Sequence, residues 1–580
     1  MTIGAIWSGR HRFRWLALAG FAFAVLYAIR VARWRPYDVN GALPQDGLFR
    51  AAGVVHVHTT FSDGGAAPEE VIRAARSEGL RFLVITDHNN LKAKPLEGYH
   101  DGLLVLVGVE ISTEAGHLLG LGLERDPVFR FSQDARDGLD DIRHLGGFAF
   151  AAHPLSPRED LAWTGWELPG AWGLELINGD SEWRRAGARA LLTAGLYSLN
   201  HRYALLKSLG HPDLALSRWD ALLAQRNTPG LAGTDAHGRL PVTEDFILRF
   251  PSYESLFSVV RNHVLLHEPL QGEVGRDRSL IVDALRAGRS YIGLDALAPA
   301  GGFSFTAESR GRRWTMGESV PISPELVLRA GGRVPRGAKI RLLRDGRVEQ
   351  EAAERIEVKV QQPGVYRIEV RLPGWDVPWI LTNPIYMFDE ATQTKRAARA
   401  AWPEPPEPPV SAQLIDRFEG TTTLQPGHDP TSNVAADILD PAAGPDGSGA
   451  ARLSFRMGDP TRPHPSPYCA LVSWEHRDLS GHRGLVLAIK ADGEYRVWVQ
   501  VRDENPASQT EDTEWWFTSV RTSTEWQKVS LPFSAFRTVN PKTDRRLDLD
   551  RVRALVFVLD RGSVKVGTEG TIWIDDLGVY

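Results

Sequence analysis

The chain has 580 residues, about four times the roughly 150 of a typical domain, so three or four folded units are expected rather than one. With 43% hydrophobic, 24% charged and 9% aromatic residues, the composition is that of a soluble globular protein and excludes a disordered, collagen-like or polytopic membrane chain. A formal charge of -5, from 67 basic and 72 acidic residues, gives no sign of a nucleic-acid binder, and a single cysteine, Cys469, excludes an internal disulfide and a CxxC metal site.

Trp15 to Ile29 form an uncharged run with Arg10, Arg12 and Arg14 before it and Arg30, Arg33 and Arg35 after it. The run is short of the roughly 20 residues that span a bilayer, but Val31 and Ala32 extend it while the arginines snorkel. No small-x-small site follows, which favours an uncleaved transmembrane anchor over a cleaved signal, with residues 1–36 as cytoplasmic tail and anchor. The bulk of the chain is then extracytoplasmic, periplasmic or at the cell surface.

From about residue 50 to 300, apolar runs of strand length alternate with amphipathic helical patterns: VVHVH, PEEVIRAARSEGL, RFLVITDH, LLVLVGVEI, HLLGLGL, FAFAAH, GLELIN and LAGTDAH. That alternation predicts a parallel α/β sheet, and the number of strands suggests a barrel. SEWRRAGARALLTAGLYSLNHRYALLKSL is expected to be one long helix. Residues 301–390 turn to strands and turns alone, a small β-sandwich, and 391–412 contain the proline-rich AWPEPPEPPV, a stiff extended linker. Residues 413–580 alternate apolar and polar in LVLAIKAD, EYRVWVQVRD and TIWIDDLGVY, a second β-sandwich.

The chemistry lies in the α/β region. His56 and His58 alternate with valines, so both point to one face of a strand, as two ligands of one metal would. Asp63 follows in a turn; Asp87 and His88 end the next strand; Glu110, His117, His153, Asp235 and His237 fall at or beside later strand termini. One histidine in an apolar run is usually a satisfied core residue. Eight or more buried imidazoles and carboxylates at strand ends are not, because each costs several kcal/mol unless paired or metal-bound. Imidazole with carboxylate and no thiolate suits zinc, manganese or iron.

HVHTTFSDG, ITDHN, GVEIS, GHLLG, AHP and GTDAHG resemble the ordered motifs of the PHP (polymerase and histidinol phosphatase) metal-dependent phosphoesterases, from about residue 53 to 297. The resemblance implies a distorted (β/α)7 barrel holding two or three divalent metals. It implies one metal on His56, His58, Glu110 and Asp235, a second on Glu110, His117 and His153, and a third on Asp63, His88 and His237. Some relatives carry histidine where this chain has Asp63, a harder ligand that weakens the preference for zinc and admits manganese. The implied reaction is phosphoester hydrolysis by a hydroxide bridging two metals, with Glu110 at the bridge and His237 or Asp87 passing a proton to the leaving group; Asp87 could equally orient His88. Arg158 and Arg239 are candidate phosphate clamps.

The last module resembles jelly-roll carbohydrate-binding domains through LSGHRGLVLAIKADG, TEWQKVSLPFSAF and TIWIDDLGVY. Adjacent Trp515 and Trp516 must face opposite ways in a strand, so one of them is the candidate for stacking on a glycan. Asp575 and Asp576 could hold a structural calcium. The expectation is therefore a membrane-anchored multi-domain hydrolase acting on a phosphorylated small molecule or polymer, with a glycan partner and no nucleic acid. Its rivals are hydrolysis of a non-phosphate ester, carbamate or amide, and a non-catalytic glycan-binding protein of the cell envelope.

Overall fold

The arginine-flanked apolar run lies in helix α1 (Gly4–Arg33) of the computed structural model, which describes the chain except residues 1–3, 186, 242–246, 405, 410, 508–512 and 539–541. Phe13–Arg33, 21 residues, is long and apolar enough to cross a membrane, about 31 Å at 1.5 Å per residue. It outruns Trp15–Ile29 because Arg30 and Arg33 join the last turn, where cations suit the free carbonyls. Leu16, Phe21 and Phe23 are exposed along it.

Contacts divide the chain into two units, Met1–Asp126 with Asp134–Trp402, and Pro127–Gln133 with Pro403–Tyr580. In the first, strands β1 (Phe49–Val54), β2 (Phe82–Ile85) and β3 (Leu103–Val107) run parallel, with α2 (Pro68–Ser77) between the first two. β2 reads FLVI and is buried at all four positions, as a strand covered on both faces must be. After Gly108 the chain continues as β4 (Val109–Thr113), which forms an antiparallel hairpin with β5 (Gly116–Leu121). β5 leads through α3 (Ala135–His144) to its antiparallel partner β6 (Phe148–Ala152), and β6, β7 (Gly173–Asn178) and β8 (Gly230–Gly233) return to parallel pairing. Isolated bridges Val57–Ala236 and His88–Glu110 join the two sheets at the strand ends. Strict strand–helix alternation therefore fails at β4 and β5, where a two-residue turn replaces a crossover helix. Apolar side chains such as Phe82, Leu104, Leu119, Phe150 and Leu231 fill the interior below the strand ends.

The expected long helix over 181–209 is three: α4 (Gly179–Arg185), α5 (Ala188–Tyr197) and α6 (His201–Ser208). Gly187, at φ 53, ends the first break, and Asn200 caps α6 by accepting from Tyr203 N. α7 (Asp213–Leu223) then leads into β8.

Residues 301–390 do not stand apart as a sandwich. β9 (Arg261–Leu266) pairs with β1 and β10 (Ser290–Gly293), and β10 pairs with Ile380–Thr382, so strands from 364 to 388 extend the same sheet as β1 to β3. A four-stranded sheet that includes Phe303–Ser309 and Val327–Gly332 packs separately. The first part of the expected linker is helix α8 (Glu390–Ala400). Asp389 caps it, EATQTKRAARA is rich in helix formers, and the buried Arg396 donates to the Leu223 carbonyl at 2.7 Å.

The second unit has sheets of seven and five strands with a shared apolar core that includes Leu453, Leu487, Val499, Phe557 and Ile574. In the five-stranded sheet β11 (Arg496–Glu504) pairs antiparallel with β12 (Thr513–Arg521). Trp515 is 52% exposed, under the Arg502 guanidinium at 4.3 Å, while Trp516 is buried in the core. Alternation thus removes Trp516 as a glycan-stacking residue. Asp575 is buried and accepts from Ser448 Oγ and Asp576 N, whereas Asp576 is exposed at φ 49. Their carboxylates diverge, and among the described residues the clusters of three or more candidate metal ligands all lie in the first unit. Among the described residues, no set of three carboxylates or imidazoles converges at that turn to hold the expected calcium.

Candidate metal centre

The ligand-bearing residues sit where the strand ladders give out. β1 stops at Val54, but the chain runs on between its neighbours: Val57 O accepts from Thr86 N at 2.8 Å, and His58 N donates to Ala236 O at 3.1 Å. His56, His153 and Asp235 adopt left-handed backbone, with φ of 64, 29 and 49. Such conformations cost about 1–3 kcal/mol each in a non-glycine residue and here turn side chains inward.

Four atoms meet at the centre. Glu110 Oε2 lies 3.1 Å from His56 Nε2 and 3.0 Å from His58 Nε2, and Asp235 Oδ1 lies 3.3 Å from both nitrogens. Four ligands each about 2.1 Å from one ion in a tetrahedron stand roughly 3.4 Å apart, close to these separations. His56 Nε2, His58 Nε2 and Glu110 Oε2 are buried and make no hydrogen bond, as are His88 Nδ1 and His153 Nδ1. Buried groups of this kind cost several kcal/mol when left unsatisfied. The donor set and these orphaned atoms therefore fit a divalent cation.

Two further clusters adjoin it. His58, Asp63, His88 and His237 form one, with His237 Nε2 3.2 Å from Asp63 Oδ2 and His88 Nε2 3.7 Å from Asp63 Oδ1. His88, Glu110 and His117 form the other. The expected second set also comes together: His117 Nδ1 is 2.8 Å and His153 Nε2 2.9 Å from Glu110 Oε1, and the two rings lie 5.0 Å apart, with His88 adjoining them. The bridge between β2 and β4 at His88–Glu110 brings these two strand ends side by side, a neighbour relation that chain order does not reveal.

The electrostatics are those of a cation site. Burial alone would lower the His56 pKa, but the carboxylates of Asp235, Glu175 and Glu110 raise it well above the usual imidazole value. Burial would raise Glu110, but His56, His88 and hydrogen bonds from His117 and His153 hold it well below the carboxylate range. His237, lowered by burial and raised by Asp63 and Asp235, is pushed up to about 9. Carboxylates that favour an imidazolium here would favour a divalent ion for the same reason.

Asp87 neither faces the cluster nor orients His88. Its Oδ1 accepts from Thr59 N at 2.8 Å and Ser62 Oγ at 2.6 Å, and its Oδ2 from Thr59 Oγ1 at 2.7 Å. Its carboxylate holds the loop after His58, so it is withdrawn as proton donor. Arg158 and Arg239 both line the cleft over the clusters, Arg158 paired with Asp160 at 2.6 Å.

Three supporting residues escape the motifs. Glu175, buried in the apolar run GLELIN, receives His56 Nδ1 at 2.9 Å, the carboxylate–histidine arrangement that fixes a ligand's tautomer. Gly233 makes room for it, since a Cβ there would fall 1.4 Å from Glu175 Oε1. Tyr253 donates from its hydroxyl to His237 O at 2.7 Å and lies 2.8 Å from His58 O, tying two ligand segments together. Arg184, ion-paired to Asp180 on α4, is a third guanidinium in the cleft. A lone acidic residue inside an otherwise apolar strand was the available signal for Glu175; Tyr253 and Arg184 carried none.

The cleft has a volume of about 260 Å³. Beside it lies a second cavity of about 310 Å³, and the two share Asp180, Arg184, Asp235, His237 and Arg239.

The family model of the PHP domain matches residues 55–144, and that of the carbohydrate binding domain (family 11) matches residues 401–579. An uncharacterized protein of Methanocaldococcus jannaschii is 31% identical over 118 residues, 18% of this chain and 67% of its own length. The 5'-3' exoribonuclease Rnm of Salmonella typhimurium is 31% identical over 167 residues, 27% of this chain and 53% of its own. The phosphoribosyl 1,2-cyclic phosphate 1,2-diphosphodiesterase of Eggerthella lenta is 38% identical over 79 residues, 12% of this chain and 30% of its own. The chain thus spans about half and under a third of these two enzymes. Among solved structures, a two-domain protein of Bacteroides vulgatus containing a predicted PHP-like metal-dependent phosphoesterase is 16% identical with TM-score 0.28, over 60% of this chain and 99% of that one. A family 11 carbohydrate-binding module of Clostridium thermocellum is 19% identical with TM-score 0.24, over 30% and 95%. The chain belongs to the PHP domain family and carries a carbohydrate binding domain of family 11 after it.

Proposed function

We propose that this chain is a metal-dependent hydrolase that cleaves phosphoester bonds at the centre built around Glu110. The observation that carries the reading is the meeting of His56 Nε2, His58 Nε2, Glu110 Oε2 and Asp235 Oδ1 within 3.0 to 3.3 Å, buried and with three of the four lacking any hydrogen bond. These four residues would hold one ion, and Glu110 with His117 and His153, and Asp63 with His88 and His237, are the sets for further ions. Bound divalent ions would activate water and neutralise charge on phosphoryl oxygens. Glu175 fixes the His56 ring, and Tyr253 ties down the segments of His58 and His237. Arg184, Arg239 and Arg158 offer planar donors to the non-reacting phosphoryl oxygens. His237, on the wall shared by the two cavities, serves as a ligand where a third ion binds and as the proton donor to the leaving oxygen where only two do.

Hydrolysis of a carboxyl ester or amide by the same centre is favoured by an apolar cavity without cations. Here two guanidinium groups, of Arg184 and Arg239, line the apolar cavity, which supports phosphate. A binding-only role would leave the cost of the convergent unsatisfied ligands without a purpose. In the same reading α1 anchors the chain in a membrane with its bulk outside, and the second unit binds glycan through Trp515.

The test uses the full chain loaded separately with zinc and manganese, against phosphomonoester, phosphodiester and carboxyl-ester reporters. Metal-dependent phosphoester turnover that is absent in His56→Ala is the expected result. Turnover of the carboxyl ester alone would overturn it.

A further inference from the structure

The second cavity has a composition unlike the cleft it opens into. Its walls away from the shared residues are Trp183, Leu205, Leu209, Phe250, Leu256 and Val259. At about 310 Å³ it falls at the lower end of small-molecule pockets, which are apolar enclosures with a few placed polar groups. The charged groups are Asp180 and Arg184 from α4, Arg239, and the ligands Asp235 and His237; the hydroxyls of Ser208 and Thr234 also line it, but each donates to a backbone carbonyl, of Leu205 and His56. On α4 the spacing 180, 183, 184 puts Asp180, Trp183 and Arg184 on one helix face, so an indole and a guanidinium reach the cavity together. The Trp183 ring meets Phe250 edge-on at 5.6 Å, and Tyr197 braces Phe250 at 4.7 Å. The wall is thus a fixed aromatic surface.

We propose that this cavity is the subsite for the alcohol side of the substrate, and that the substrate class is a phosphoester of a bulky apolar alcohol. The inference rests on the phosphoester reading above. An anion bound at Arg184 and Arg239 next to the metal centre directs whatever its ester oxygen carries along the cavity. A sugar or a second phosphate there would leave hydroxyls or charge unpaired against tryptophan, leucine and valine, whereas an aryl or alkyl group displaces water from apolar walls. The reaction is hydrolysis: the oxygen of water joins phosphorus, the P–O bond to the alcohol breaks, and a proton passes to the departing alkoxide.

The position of the wall suggests where such an alcohol comes from. Leu205 lies on α6, and the α5–α6 hairpin also holds the end of α1: Asn200 Nδ2 donates to Trp34 O at 3.0 Å and Val31 O at 3.2 Å, and Val31 packs with Leu196 and Ala204. One hairpin therefore borders both the cavity and the helix long enough to cross a bilayer. The alcohol can be that of a membrane amphiphile or of a soluble aryl compound.

The experiment compares 2-(2-naphthyl)ethyl phosphate with ethyl phosphate, whose leaving alcohols have similar acidity, on the manganese-loaded full chain in nanodiscs. The naphthyl ester is expected to have the higher kcat/KM, and Trp183→Ala to lower the ratio about tenfold, the usual scale for losing an aromatic anchor. Trp183→Phe should restore most of it, and Leu209→Asn should lower it through the opposite wall. Calorimetric binding of the two corresponding phosphonates, which are not hydrolysed, should show the same order. Equal ratios in the parent and both wall variants, in turnover and in binding, overturn the subsite. Preferential phosphonate binding without turnover of either ester overturns the phosphoesterase reading and leaves the apolar subsite standing. Decyl phosphate in phosphatidylcholine vesicles, turned over faster than the soluble naphthyl ester, identifies the bilayer as source; the reverse order identifies a soluble one.

Discussion

Both units bury carboxylates beyond the reach of water, and they meet the cost in opposite ways. Around Glu110 and Asp235 four or more imidazoles converge, and both carboxyls are held well below their usual range despite burial. In the second unit Asp503 on β11 faces Glu514 on β12 across the ladder, both buried and both with oxygens that find no hydrogen bond. No histidine answers them; burial and neighbouring acids push each up to about 7. The same physical problem yields a cation-seeking centre where opposite charge converges and a proton-holding pair where it does not.

The comparison is broken most directly by Glu110→Gln, which removes the charge shared by two of the three ligand groupings. Metal-dependent turnover should be abolished, and retained turnover would sink the assignment. Next in size is Trp516→Ala, which empties core volume and should cost about 3 kcal/mol in denaturant unfolding of the second unit. Glu175→Gln keeps the shape of the group that positions His56 but weakens its hold, and should lower metal affinity 10- to 100-fold in a chelator competition.

The carboxyl pair gives a smaller effect with a definite sign. A carboxyl whose folded pKa lies near 7 rather than near 4 keeps its proton on folding, so its contribution is full below about pH 4 and is lost as pH rises to about 7. Asp503→Asn or Glu514→Gln should therefore raise the melting temperature at pH 8 by a few degrees and change it little at pH 4. Smallest is Trp515→Ala, expected to shift stability by no more than about 0.5 kcal/mol because the ring is half exposed, while reducing glycan binding in a pull-down on insoluble polysaccharide.

The candidate ligands were legible in the sequence because most stand at or beside the end of an apolar strand, and a charged group in that position has few structural uses. The place of His88 was not. It stands beside Glu110 because their two strand ends bridge, a neighbour relation that chain order does not show. Glu175 was hidden by the run around it, and Asp87 misled because adjacency to His88 in sequence says nothing of direction; its carboxylate turns to Thr59 and Ser62. Residues 181–209 kept helical periodicity through two breaks that Gly187 and Asn200 impose locally. The strands after 364 looked like a free-standing sandwich because period-two alternation records which face is covered, not which strand lies alongside; their pairing to β10 makes them part of the first unit's sheet.

The left-handed backbone at His56, His153 and Asp235 has a consequence for how this protein responds to selection. Glycine at any of the three would relieve the local conformational cost, and a screen for heat resistance alone would be drawn to those positions. Each gain would delete a side chain that faces the centre. Thermal robustness and catalysis therefore compete at three identified residues, and lineages in which the activity is no longer needed should show it first by glycine or asparagine there.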